Sequence, residues 1–149
     1  MPRDAHTLDL FDAAGRPVVA RFDEAQVRAA SVRDRVARAV SAALRAYGGE
    51  REQIAREMSE YLGERVSKAV LDQYASQANA EHAVPAHRLI ALAIITGDAR
   101  LINALLADTG LVAVADKYEP LIEREMAREA IDKLQRRAAA QDAQWRARR

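Results

Sequence analysis

The stretch GERVSKAVLDQY, residues 63–74, decides the fold of this chain. Glycine tolerates the left-handed backbone that closes a helix, so Gly63 ends the segment EREQIAREMSEYL. Ser67 is a residue type that caps a new helix, KAVLDQYAS, after a tight turn. In the first segment Ile54, Met58, Tyr61 and Leu62 fall on one side, and in the second Val66, Val70, Leu71 and Tyr74 do the same. Lys68, Asp72 and Gln73 are left pointing outward. Residues 51–76 therefore meet the description of a scaffold helix, a turn and a second helix whose outward side chains are available to a DNA groove. Gln73 suits a bidentate contact to adenine, and Lys68 suits guanine or a phosphate. The first helix runs further past Ala55 before its glycine than in the compact form of the motif.

Working outward, the pattern is helical almost everywhere. From Asp23 the apolar residues Val27, Ala30, Val36, Val40 and Leu44 recur at helical spacing until Gly48-Gly49. The opposite face of that segment is rich in arginine. Residues 79–84 read as a loop, and Pro85 opens a helix that Gly97 closes. Asp98 caps a further helix, which Gly110 closes, and the β-branched run LVAVA reads as extended. After Pro120 neither glycine nor proline occurs, and Leu121, Ile122, Met126, Ala130, Ile131 and Leu134 form one stripe. No sustained heptad register runs through it, and the stripe fades beyond Ala138, where fraying is expected. Before Asp23, Leu8 and Leu10 on one side and Val18, Val19 and Phe22 on the other flank a Gly15 and Pro17 turn, the pattern of a short β-hairpin.

Composition limits the function classes. Half of the residues are hydrophobic but only 5% are aromatic, which favours helices packed through small side chains in a chain of 149 residues. The absence of cysteine excludes a disulfide framework and thiolate metal ligation and fits a reducing cytoplasm. The apolar run LIALAII is too short to span a bilayer, and the N-terminus lacks the apolar core of an export signal, so no membrane partner is expected. The formal net charge of +1 conceals two basic segments. Residues 28–49 carry five arginines against Asp34, and residues 128–149 carry seven cations against three acids. Residues 50–76 are slightly acidic, so phosphate neutralisation has to draw on cations outside them. His6, His82 and His87 do not share a helical face, and no phosphate-binding glycine loop occurs. The expectation is a non-enzyme with neither metal nor cofactor.

The runs REQIAREMSEYLGERVSKAVLDQYAS and VPAHRLIALAIITGDARLINALLADTG resemble helix-turn-helix proteins of phage and prophage, including lambda-repressor-like and CII-type regulators. The resemblance covers about the middle half of the chain. It implies a helical DNA-binding domain, usually dimeric, acting in transcription or phage DNA transactions. A second, shorter resemblance lies in TLDLF, which is similar to the peptide by which bacterial proteins dock on the replicative sliding clamp. It implies that Leu8, Leu10 and Phe11 fill apolar pockets, although Thr7 stands where that peptide begins with glutamine.

These readings combine into a mainly α protein. Residues 1–22 form a hairpin or flexible arm, residues 23–116 a helical DNA-binding domain, and residues 117–149 an amphipathic helix that makes a homodimer and ends in a frayed basic tail. Ser67, Lys68 and Gln73 read or position a double-stranded DNA groove, while Arg33, Arg35, Arg38, Arg51 and Arg65 meet phosphates. The competing class is a protein-interaction adaptor that docks on the sliding clamp through residues 7–11.

Overall fold

Ser31 divides the helical pattern that begins at Asp23. In the computed structural model, which describes residues 17–76 and 83–149, helix α1 (Glu24–Val27) stops after one turn. Helix α2 (Val32–Tyr47) starts afresh behind Ser31, whose backbone is extended at φ −129° and ψ 155°. The Ser31 hydroxyl accepts the Asp34 N–H at 3.1 Å and donates to the Asp34 carboxylate at 2.8 Å, satisfying a donor that a helix start leaves open. A serine inside a periodic run can always make this local bond, so the single long helix expected from residue 23 is split.

Four further helices follow among the described residues of the first unit, Met1–Ala113. They are α3 (Arg51–Leu62), α4 (Lys68–Tyr74), α5 (Ala86–Thr96) and α6 (Arg100–Leu105). Helix α2 contacts α1, α4, α5 and α6, while α3 packs on α4 and α5. Ala39, Val40, Ala43 and Leu44 of α2 are buried with Ile54, Met58, Leu71, Leu92 and Leu101. The alanines let the helix backbones approach closely, and burial of side chains the size of Leu71 or Leu92 contributes about 1.5–3 kcal/mol each. Helix α6 is shorter than the segment expected after Asp98, because the chain leaves it at Leu106 and passes through Asp108 with a φ of 69°. Asp98, expected as the cap, stands one residue before the N-cap Ala99 and accepts the Arg100 N–H at 3.1 Å.

No strand occurs among the described residues. Of the hairpin expected in residues 1–22, residues 1–16 lie outside them, and residues 17–22 form no strand. Phe22 is buried instead, beneath the Arg100 guanidinium at 4.3 Å from its ring centre. The LVAVA run is held by a side chain rather than by a ladder. Asn103, only 6% exposed, donates to the carbonyls of Ala20 at 2.9 Å and Ala113 at 3.0 Å and accepts the Ala113 N–H at 2.7 Å.

The second unit, Val114–Arg149, contains a 3-10 turn at Asp116–Tyr118 and helix α7 (Glu119–Ala147). Helix α7 continues nine residues past Ala138, where fraying was expected, because alanine, glutamine and arginine sustain a helix without an apolar stripe. No helix among the described residues is long and apolar enough to cross a membrane.

Candidate nucleic-acid interface

Helices α3 and α4 form a two-helix unit whose turn is fixed at three points. Gly63 takes φ 66° and ψ 20°, so the last turn of α3 closes without a β-carbon in the left-handed region. Ser67 sits extended at φ −106° and its hydroxyl accepts the Val70 N–H at 3.3 Å. Between them Ser59 Oγ accepts the Val66 N–H at 2.9 Å and donates to the Ala55 carbonyl at 2.7 Å. This serine ties the middle of α3 to the residue that leads into α4.

The outward side of α4 is not a bare row of cations. Lys68 Nζ lies 3.0 Å from Glu52 Oε1 of α3, with both side chains about half exposed. That contact holds the Glu52 carboxyl below the usual glutamate value and raises the Lys68 ammonium above its own. One turn further on, Asp72 accepts from Arg51, so two ion pairs cross from the start of α3 to α4. Exposed pairs of this kind contribute little to stability and are screened by salt, so they can be exchanged for phosphate contacts.

The far end of α4 is anchored by a polar chain. Arg88 of α5 donates through Nη1 to the Tyr74 hydroxyl at 2.7 Å and through Nε to Glu64 at 2.7 Å. His87 Nε2 lies 3.1 Å from the same Glu64 oxygen. The hydrogen bond from Arg88, followed by that from His87, lowers the Glu64 pKa, and Glu64 in turn raises that of Arg88. Tyr74 reads in sequence as an apolar position, and Glu64 and Arg88 are far apart along the chain. Ser59 carries a weak local signal, a small polar residue beside the buried Met58.

The structure gathers Arg51, Arg65, Ser67, Lys68 and Gln73 on this unit. Arg65 is exposed in the turn, and Gln73 is half-buried on the last turn of α4. Arg33 is exposed on α2 and lines a cavity of about 140 Å³ together with Tyr74 and Ser76, which places it beside the C-terminal end of α4. Arg35, two residues on and therefore on nearly the opposite face of the helix, goes elsewhere. It pairs with Asp108 at 2.7 Å and its side chain is 16% exposed. There it lines a cleft of about 640 Å³ with Arg21, Phe22, Arg28 and Leu111. Arg38 is half-buried, with Nε shut from solvent and without a hydrogen-bond partner among the described residues. Leu8, Leu10 and Phe11, the expected clamp-docking residues, lie outside the described residues. No protein-family model, no curated protein and no solved structure matches this chain.

Proposed function

We propose that the chain is a non-catalytic, sequence-specific DNA-binding protein of phage-regulator type, acting in the cytoplasm as a homodimer. Helix α4 is its groove-facing element. The observation that carries this reading is the locked turn: Gly63, Ser59 and Ser67 hold α4 in one orientation on α3 while Lys68 stays exposed. Lys68 and Gln73 contact base edges, and Ser67 helps to place the first turn. Arg65, Arg33 and Arg51 supply phosphate contacts, with Arg51 and Lys68 exchanging their carboxylate partners for DNA. Arg35 is committed to Asp108 and Arg38 is half-buried, so both contribute less than their charge suggests. The exposed stripe of α7 supplies the dimer contact.

The double variant Lys68→Ala with Gln73→Ala tests the assignment. It is expected to melt close to the parent and to bind its best duplex no better than random duplex. A sequence preference and affinity equal to the parent's would sink the assignment.

A further inference from the structure

Helix α7 is 29 residues long, about 44 Å at the usual rise, and holds no buried residue. Ile122, Met126, Ile131, Leu134 and Trp145 are 47–66% exposed. Such a run of apolar side chains calls for a protein surface. Two features of the same helix say which surface. The first is charge: residues 119–132 carry five acids against Arg124 and Arg128, whereas residues 133–149 carry six cations against Asp142. The second is spacing: for fewer than three heptads, too short a run to read as a sustained register, Ala127, Ile131, Leu134, Ala138, Gln141 and Trp145 alternate steps of four and three, the spacing of a seam between two helices with one polar position.

We propose that α7 pairs antiparallel with α7 of a second copy, the two helices crossing between Asp132 and Lys133. This rests on the dimer reading above and gives it a geometry. In that register Ile131 packs on the second copy's Leu134, and Ala127 on its Ala138. In the same seam Gln141 stands opposite Arg124 and Trp145 opposite Pro120. Lengthwise, the acidic half of each helix, residues 119–132, lies alongside the basic half of the other, residues 133–149. A parallel pair would instead set the whole acidic half against itself and the basic half likewise, which opposes association.

The chain has no cysteine, so single cysteines report the register cleanly. Full-length Ala127→Cys and Ala138→Cys are to be oxidised in a glutathione buffer, each alone and as an equal mixture. The mixture is expected to give a disulfide between the two variants. Neither variant alone should cross-link, since identical positions stand eleven residues, about 16 Å, apart. A disulfide within a single variant would overturn the antiparallel arrangement while leaving the dimer standing. Absence of any disulfide overturns it as well, and a sedimentation mass of one chain for the parent would remove the dimer too. Duplex binding, measured on the same parent protein, stands or falls independently of these outcomes.

Discussion

The Ser59 hydroxyl accepts the backbone N–H of Val66 at 2.9 Å, joining the buried side of α3 to the entry of α4 across the Gly63 turn. Val66 is 5% exposed, so water has little access to its amide if the serine is lost. Leaving a buried donor unpaired costs about 1–3 kcal/mol. Ser59→Ala is expected to lower stability by that amount in urea unfolding, with an unchanged m-value, and to weaken DNA binding beyond the loss of folded protein. An unchanged midpoint would show that the bond does not hold the turn.

Gly63 offers a test of the turn that involves no contact. A β-carbon there would meet no atom within 4 Å, so any cost of substitution comes from the backbone at φ 66°. For a β-branched residue this conformation costs about 1–2 kcal/mol. Gly63→Val should therefore lower the melting temperature and also weaken duplex binding, with Gly63→Asn affected less. Equal melting of all three proteins would place Gly63 outside the left-handed region.

The anchoring of α4 through Glu64 has a pH signature. Hydrogen bonds from Arg88 and then His87 hold the Glu64 carboxyl below its ordinary value in the folded protein. A depressed carboxyl contributes stability that is fully present above the unfolded value and is lost as pH falls through the folded one. Stability should therefore decline on the acid side, below the ordinary glutamate range, and Glu64→Gln should flatten part of that decline. A carboxyl titration by NMR that puts Glu64 at or above the ordinary value would contradict the network.

The local rules of the chain are readable and its long-range pairings are not. Gly48, Gly63 and Gly97 close helices where the sequence places stops, and Ser67 caps α4, because each depends only on residues a few positions away. Ile54, Met58 and Leu71 are buried as their helical spacing requires. The break at Ser31 is a local competition between a side chain and a helix, which periodicity does not rank. Of the candidate phosphate ligands, Arg35 is engaged within the fold. Its partner Asp108 is brought to it by the fold, over a separation that no motif spans. The crossing pairs of Arg51 with Asp72 and Lys68 with Glu52 are equally invisible until α3 and α4 are packed. In sequence the same residues read as open cations and acids.

The central claim, that α3 and α4 present this chain to DNA, is tested most directly by the salt dependence of its affinity for random duplex. Each phosphate neutralised contributes about 0.9 to the slope of log affinity against log salt, so phosphate contacts from Arg33, Arg51 and Arg65 predict a slope of roughly −3 per chain. Fluorescence anisotropy of a labelled duplex measures it between low and physiological salt. Binding that is absent at low salt, or an affinity indifferent to salt, would contradict the account.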